Sequence, residues 1–281
     1  MPEGPEVETV RRSLLPLLLG ATLARPRVSA LKLRTPITKK DLVDVDGAVV
    51  VELFRKGKLL GIRTASGAGL FVRLGMTGRL LVEPAKKKAA LHTHVRFDLQ
   101  GAGAESLGEK TELRFVDPRR FGEVVPFKDD VACALELARL GPDGLSLDDD
   151  GRAVVGARFR STARSIKDVL LDQSVVAGVG NIYAAEACFV ARLSPHRQGC
   201  SLDDDEAQRL VRAIESVLTQ GVLNRGTSFS DYVDGEGKTG DNARHLHVFQ
   251  REGEPCRVCG DVVVRVVQGQ RSTFYCPRCQ P

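Results

Sequence analysis

The first residues of the chain, Met1-Pro2-Glu3-Gly4-Pro5-Glu6, carry groups suited to covalent chemistry. If Met1 is removed, Pro2 gains a free secondary amine, and an α-amino group has a pKa of only about 8. Such an amine can attack an aldehyde-level carbon and form a cationic iminium, which withdraws electrons from its neighbours. Glu3 and Glu6 lie close by and could transfer protons as general acids or bases. The same residues also fit a rigid chain end in which Pro5 begins a helix.

A second chemical pattern lies near the C-terminus, where four cysteines form two CxxC pairs separated by 16 residues: Cys256, Cys259, Cys276 and Cys279. This spacing is typical of a four-cysteine zinc site, which is structural because no coordination position stays open. Strand-like residues 262–267 and 273–275 predict a zinc-bound β-hairpin with Arg271 near its tip. Two disulfides or a redox pair are the alternatives.

Residues 256–281 also carry an excess of positive charge, because they contain four arginines and one acidic residue: Arg257, Arg265, Arg271 and Arg278 against Asp261. That excess favours a phosphate backbone as partner. End-capping of the fold or contact with another protein is the alternative.

A third pattern, Gly178-Val179-Gly180-Asn181, opens a predicted helix. Backbone N–H groups at a helix start attract anions, and the Asn181 amide could donate to a phosphate oxygen. The alternative, which these four residues favour when taken alone, is a plain turn between two helices with Asn181 as the helix N-cap.

The elements that position these groups follow from hydrophobic periodicity. A helix is predicted from Pro5 to about Leu18, with Val7, Val10, Leu14 and Leu17 facing inward and Gly20 ending it. Seven short strands then predict a β-sandwich or barrel; they cover residues 48–54, 59–64, 69–74, 78–82, 94–99, 112–116 and 123–127.

The remaining segments predict a change to helical structure. Residues 128–158 are expected to form a connector that contains a helix over 131–140 and a solvated acidic run, Asp148–Asp150. Helices follow at 166–172, capped by Ser165, at 182–191, and from a Ser201/Asp204 capping box to about Leu218. Residues 225–244 are polar and glycine-rich, which favours a functional loop.

Composition adds few constraints. The 281 residues carry a net charge of +5, which is compatible with nucleic acid but not diagnostic of it. The acidic N-terminus predicts no secretory signal, and the run Leu14–Leu19 is too short and Pro-interrupted to span a membrane. The remaining cysteines are scattered, which favours a reducing cytoplasm over a disulfide framework.

Several stretches in the same order resemble the formamidopyrimidine-DNA glycosylase family, which includes endonuclease VIII. They are Pro2–Glu8, Arg55–Lys58, Leu74–Gly78, Asp117–Gly122, Gly178–Tyr183, Gly253–Cys256 and Gln270–Cys276. The resemblance implies a multidomain α+β chain. Its parts would be an N-terminal helix with a β-sandwich (residues 1–130), a connector (131–158), a helix–two-turns–helix domain with a base-recognition loop (159–244), and a zinc β-hairpin finger (245–281).

The resemblance also implies residue roles in the excision of oxidised purines from duplex DNA and cleavage of the abasic strand. Pro2 would be the Schiff-base nucleophile, Glu3 the acid/base group and Glu6 its support. Lys58, Asn181 and Arg271 would bind phosphates beside the flipped nucleotide, and His92 or His94 could touch phosphate. Met76, Arg119 and Phe121 would fill the gap in the base stack, with Arg119 facing the orphaned cytosine.

Alternatives remain at this point. Met76 and Phe121 could pack in a core, and Lys58 could be a solvated lysine at a strand end. Residues 226–240 and Val248–Arg251 match the family pattern loosely, which leaves the base preference open. We expect one zinc ion, double-stranded DNA with an oxidised base or abasic site as partner, no membrane association, a monomer, and a cytoplasmic location at the nucleoid. The rival functions are an endonuclease VIII-like enzyme for oxidised pyrimidines and a non-catalytic binder of damaged DNA.

Overall fold

The computed structural model describes residues 2–101, 110–229 and 232–281. The chain divides into two compact units. The first contains Pro2 and residues 6–138 and 224–241; the second contains residues 3–5, 139–223 and 242–281. Met1, whose removal the amine chemistry requires, and positions 230–231 of the glycine-rich segment lie outside the described residues.

The predicted N-terminal helix, α1, spans Gly4–Leu18. Its buried stripe ends at Leu18 and not at Leu17, because Leu18 lies four residues after Leu14 and therefore on the same helical face. Gly20 follows with φ +79°, a left-handed conformation that glycine adopts without steric cost.

Eight antiparallel strands follow in the order β5-β7-β6-β1-β2-β3-β4-β8. Seven of them correspond to the predicted strands. The unpredicted one is β1, whose alternation is obscured by Arg25, Pro26 and Arg27. The strands are β1 Thr22–Val28, β2 Ala48–Lys56, β3 Leu59–Thr64, β4 Gly69–Arg73, β5 Arg79–Pro84, β6 Thr93–Gln100, β7 Thr111–Val116 and β8 Glu123–Phe127. A 3₁₀ helix, Lys39–Val45, lies between β1 and β2.

The two halves of this strand order pack face to face. Ile62 and Leu70 of one half meet Phe97 and Phe115 of the other in one buried cluster, which also receives the apolar face of α1. The predicted sandwich is therefore confirmed, and the barrel alternative is wrong because β5 and β8 stand at opposite ends of the strand order.

Five further α-helices are present among the described residues: α2 Asp130–Ala138, α3 Asp149–Arg160, α4 Ile166–Leu170, α5 Asn181–Val190 and α6 Asp204–Leu223. Short 3₁₀ helices cover Gly199–Ser201 and Asn242–His245. The core of the second unit is built around α5, with Tyr183 and Phe189 packed among residues such as Phe159 and Ile214.

One prediction about a helix start was wrong. The acidic run is exposed, as predicted, but Asp148 also caps the unpredicted helix α3 by accepting the N–H of Gly151 at 2.7 Å. The cap of α6 is the pair Asp203 and Glu206, whose side chains each accept the other's backbone N–H at 2.7 and 3.2 Å, and not Ser201 with Asp204. The predicted Ser165 cap of α4 is confirmed.

The finger is the predicted hairpin, formed by β9, Val264–Gln268, and β10, Arg271–Tyr275. Gly269 and Gln270 form the turn, both with positive φ, which is typical of a two-residue hairpin turn. Among the residues described, no helix is long and apolar enough to cross a membrane.

Candidate active site and nucleic-acid interface

The Glu3 side chain is buried and held at the start of α5. Its carboxylate accepts the backbone N–H of Gly180 at 2.7 Å and that of Ile182 at 2.9 Å. Glu3 itself is only 2% exposed. The first N–H groups of a helix have no partner within it, and they carry partial positive charge. The predicted anion-binding turn therefore binds the Glu3 carboxylate through its backbone N–H groups.

Gly4, the residue after Glu3, brings the N-terminal backbone close to the backbone before helix α5. The Gly4 N–H donates to the carbonyl oxygen of Gly178 at 2.8 Å. A Cβ atom on Gly4 would lie 3.1 Å from that oxygen, and Gly178 itself has φ +105°. A side chain on residue 4 would crowd this contact, and the left-handed φ of Gly178 favours glycine there; the hydrogen bond holds the backbone directly after Glu3.

Glu6 binds the glycine-rich segment that sequence analysis associated with base recognition. Its carboxylate accepts the Thr227 N–H at 2.7 Å, and the Tyr232 hydroxyl donates to its carbonyl oxygen at 3.2 Å. Gly226 has φ +84°, and a Cβ there would lie 2.9 Å from Cγ of Glu6. Burial, together with the nearby Glu6 carboxylate, raises the pKa of Tyr232 far above its usual range. Neither Thr227 nor Tyr232 was singled out from the sequence.

Lys58 lies in the two-residue turn between β2 and β3, where Gly57 has φ +60°. Arg55 holds this turn by donating to the Gly57 carbonyl oxygen at 2.9 Å, and it also donates to Glu8 of α1 at 3.2 Å. Lys58 itself is partly buried. The structure therefore places Lys58 in a short turn that is held by Arg55.

The Glu8 carboxylate forms ion pairs with three arginines, Arg11, Arg12 and Arg55. Burial raises the pKa of Glu8, but hydrogen bonds from Arg11 and Arg12 and the charges of Arg11 and Arg55 outweigh burial and lower the pKa to about 2. Glu8 therefore stays ionised at neutral pH.

The predicted stack-filling residues lie on two neighbouring loops. Met76 and Phe121 are exposed, at 38% and 48%, so neither belongs to the core. The Arg119 guanidinium lies over the Phe121 ring, 5.2 Å from its centroid. A Cβ atom on Gly75 would lie 2.6 Å from the Gly122 nitrogen, so the two loops are in backbone contact.

His92 and His94 have different environments. His92 is partly buried, and its carbonyl oxygen accepts the Asp117 N–H at 2.9 Å. His94 is buried, with its ring nitrogens 2.9 Å from the Asp117 carbonyl oxygen and 3.3 Å from that of Leu31. His94 is thus engaged inside the fold, which leaves His92 as the candidate for a DNA contact.

In the second unit, the predicted phosphate ligands Asn181 and Arg271 are close together. The Asn181 amide donates to the Ser272 carbonyl oxygen at 3.0 Å, and Arg271 is the exposed residue directly before Ser272. Lys167, which sequence analysis missed, donates to the same oxygen at 2.9 Å and to Oγ1 of Thr273 at 2.5 Å. Burial lowers the pKa of Lys167 to about 8.

The four predicted zinc ligands converge. Their sulfur atoms all lie within 4.8 Å of one another, with Cys256 Sγ 3.9 Å from Cys279 Sγ and Cys259 Sγ 3.5 Å from Cys276 Sγ. Zn–S bonds of about 2.3 Å in a tetrahedron separate the sulfurs by about 3.8 Å. The donor set and spacing fit one structural zinc ion, and the zinc prediction is confirmed.

Comparison with known proteins covers nearly the whole chain. Residues 1–124 match the formamidopyrimidine-DNA glycosylase N-terminal domain, residues 140–232 match the H2TH domain of the same glycosylase, and residues 253–281 match a zinc finger found in FPG and IleRS. The formamidopyrimidine-DNA glycosylase of Sodalis glossinidius is 39% identical over 280 residues, with 100% of both chains covered.

Solved structures of formamidopyrimidine-DNA glycosylases are similar to this chain over nearly its whole length. The MutM (FPG) protein from Thermus thermophilus is 38% identical, with a TM-score of 0.84 and coverage of 99% and 98% of the two chains. Lactococcus lactis Fpg in complex with an abasic site containing DNA is 26% identical, with a TM-score of 0.87 and 99% of each chain covered. The same Lactococcus lactis protein in complex with an N7-benzyl-Fapy-dG containing DNA gives the same values: a TM-score of 0.87, 26% identity and 99% coverage of both chains. This chain belongs to the formamidopyrimidine-DNA glycosylase family.

Proposed function

We propose that this protein is a bifunctional DNA repair enzyme that excises oxidised purines, 8-oxoguanine and formamidopyrimidines, from duplex DNA and then cleaves the abasic strand. The observation that carries the proposal is the buried Glu3 carboxylate, held on two backbone N–H groups directly after Pro2. Family membership over the full chain gives the substrate class, because the relatives are formamidopyrimidine-DNA glycosylases.

The reaction requires Pro2 as the N-terminal residue. Its amine forms a bond to C1′ of the damaged nucleotide while the bond from C1′ to the base breaks, and the base leaves with a proton. The amine gives up its proton as the base takes one up. Glu3 then acts as the acid that protonates O4′ while the C1′–O4′ bond breaks, and the opened sugar remains attached to Pro2 as a cationic iminium. The iminium draws electrons from C2′, so a C2′ proton is lost and the 3′-phosphate leaves by β-elimination. A second elimination expels the 5′-phosphate.

The amine cannot reach a nucleotide that is stacked inside a duplex, so DNA binding must bring the damaged nucleotide out of the stack. Flipping the nucleotide out costs a few kcal/mol. The exposed Met76, Arg119 and Phe121 would enter the vacated stack and offset part of this cost. Lys58, His92, Asn181 and Arg271 would bind the distorted backbone through its phosphates. A zinc ion held by Cys256, Cys259, Cys276 and Cys279 would act as a structural cross-link that orders the hairpin bearing Arg271.

Borohydride trapping on duplexes that carry 8-oxoguanine or thymine glycol tests the proposal. Reduction of the iminium should join Pro2 covalently to the 8-oxoguanine strand, and peptide mass spectrometry should locate the adduct on residue 2. Pro2→Gly should trap poorly and lose base excision while it keeps most of its DNA affinity.

The matched control is Pro16→Ala, because Pro16 is exposed and lies in the first helix but has no role in the chemistry. It should trap like the wild type. An adduct on an internal lysine would overturn the role of Pro2, and trapping on thymine glycol alone would make the protein an oxidised-pyrimidine enzyme. Binding without any adduct would leave a non-catalytic binder.

We further propose that the protein acts in the cytoplasm, at the nucleoid, because its substrate is genomic DNA. A single N-terminal amine per chain is sufficient for the chemistry, which supports a monomer. We also propose that the chain divides into a catalytic sandwich (1–130), a connector (131–158), a helix–two-turns–helix domain (159–244) and a finger (245–281).

A further inference from the structure

The loop containing Met76 and the loop containing Arg119 and Phe121 are joined by a buried hydrogen-bond centre. Asp117, which begins the second loop, is fully buried. One of its carboxylate oxygens accepts the Gly122 N–H at 2.7 Å at the far end of the same loop. The carboxylate thereby closes residues 117–122 into a compact turn.

The other carboxylate oxygen reaches the first loop. It accepts a hydrogen bond from the Thr77 hydroxyl at 2.5 Å. It also accepts the backbone N–H of Arg119, at 3.3 Å. The Thr77 hydroxyl oxygen accepts the same backbone N–H of Arg119, at 3.2 Å. Thr77, only 6% exposed, directly follows Met76. A single hydroxyl therefore connects the backbone that carries Met76 to the backbone that carries Arg119.

Other contacts restrict movement of this centre. The Asp117 backbone donates to the His92 carbonyl oxygen and accepts from the ring of His94, both at 2.9 Å. Gly75, with φ +62°, leaves no room for a side chain between the loops. Buried donors and acceptors thus connect the two loops in this structure.

We infer that Thr77 and Asp117 are positioning residues that fix the Met76 loop and the Arg119–Phe121 loop to each other, so that the three side chains enter the duplex as one rigid element and Arg119 reads the base opposite the lesion. The inference rests on the proposed function, in which these three side chains fill the stack. A buried hydroxyl that bridges two loops costs little when both partners are present, but its removal leaves a buried carboxylate oxygen short of a donor. The loops would then shift relative to each other, and the position of Arg119 would no longer be unique.

The test is Thr77→Val, which keeps the shape of the side chain and removes the hydroxyl, compared with Thr77→Ser, which restores it. Two ratios are measured. The first is kcat/KM on 8-oxoguanine opposite cytosine relative to opposite adenine. The second is the Kd ratio for a tetrahydrofuran abasic analogue opposite the same two bases, which needs no catalysis. Thr77→Val should lower both preferences for cytosine about tenfold, the effect of losing one buried hydrogen bond, and Thr77→Ser should recover them.

Thr64→Val is the matched control, because the Thr64 hydroxyl is also buried and donates to a backbone carbonyl, that of Ala68 at 2.7 Å, in the β3–β4 turn. It should leave both ratios unchanged. The same ratios are then measured for Thr77→Val in an Arg119→Ala background, where the effect of the valine should vanish because the base-reading group is gone.

Unchanged ratios in Thr77→Val, failure of serine to rescue them, or an undiminished valine effect without Arg119 would each overturn the inference. Should Thr77→Val fail to fold, Asp117→Asn takes its place with the same readouts. If the wild-type protein shows no excision but still binds the abasic analogue more tightly opposite cytosine, the proposed reaction is wrong. The inference about the two loops would then still hold, because the Kd ratio needs no catalysis.

Discussion

The carboxylate of Glu3 lies 2.7 Å from the backbone nitrogen of Gly180, although 177 residues separate the two. A second oxygen of the same group accepts the Ile182 N–H at 2.9 Å. Backbone N–H groups at the start of helix α5 thus hold the proposed acid/base group, although they are distant from it in sequence.

Glu3→Gln is expected to retain DNA binding but to lose base excision by a factor of about 10²–10⁴, the usual contribution of a positioned acid/base group. The amide cannot exchange protons, and its NH₂ group would face backbone donors. Single-turnover excision rates and Kd values measure the two effects. Glu215→Gln, at the Arg152 ion pair on the surface of α6, is the control and should behave as wild type. Equal excision by both variants would contradict the role of Glu3.

Glu6→Ala should change lesion choice more than it changes processing of a ready-made abasic site. The Glu6 carboxylate holds the Thr227 N–H, so its loss releases the segment that begins at Gly226. We expect excision of 8-oxoguanine to fall by about tenfold or more, with smaller effects on strand cleavage at an abasic site. Parallel rate measurements on the two duplexes test this, and an equal loss on both would show that Glu6 acts on the reaction itself.

Removal of one zinc ligand should abolish metal binding and weaken DNA binding together. Cys256 is buried among the other three thiols, and a site with three ligands cannot order the hairpin that presents Arg271. Cys256→Ser is measured by metal content and by Kd for an abasic duplex, with Cys200→Ser, at an exposed cysteine, as control. Normal DNA affinity in a zinc-free Cys256→Ser protein would exclude the finger from the DNA-binding surface.

Stability should fall in acid partly through Glu8. Its pKa is about 2 in the folded protein against an ordinary 4.5, so its ion pairs stabilise the fold fully above pH 4.5, and that contribution is lost as the pH falls toward 2. Glu8→Gln should therefore lower the free energy of unfolding at pH 7 and make it less dependent on pH below 4.5. Urea unfolding at pH 3, 5 and 7 measures both; parallel curves for the two proteins would contradict the assignment.

Local patterns predicted most of the elements, because each depends on residues that are near in sequence. The seven strands and the zinc hairpin have clear alternation or spacing, whereas β1 was missed because Pro26 and two arginines interrupt it. Helix α3 was missed because its start is an acidic run with weak apolar periodicity, and only the Asp148 cap reveals it.

Family motifs predicted the proposed site residues, but they did not predict the partners that hold those residues. Nothing near Thr77 in the sequence indicates that its hydroxyl meets Asp117, and nothing near Lys167 points to Ser272. Such contacts join segments that come together only when the chain is folded. Sequence patterns therefore identify the chemical groups, and the structure shows what holds them.

The hydrogen bond between Gly4 and Gly178 has a consequence for biosynthesis. Translation proceeds from the N-terminus, so the segment bearing the reactive amine leaves the ribosome long before the turn that orders it. A nascent or prematurely terminated polypeptide that ends before this turn cannot form the contacts that hold Glu3 beside Pro2. Under the proposed mechanism, reactivity therefore arises late in translation, and only in chains that already include residues 178–182.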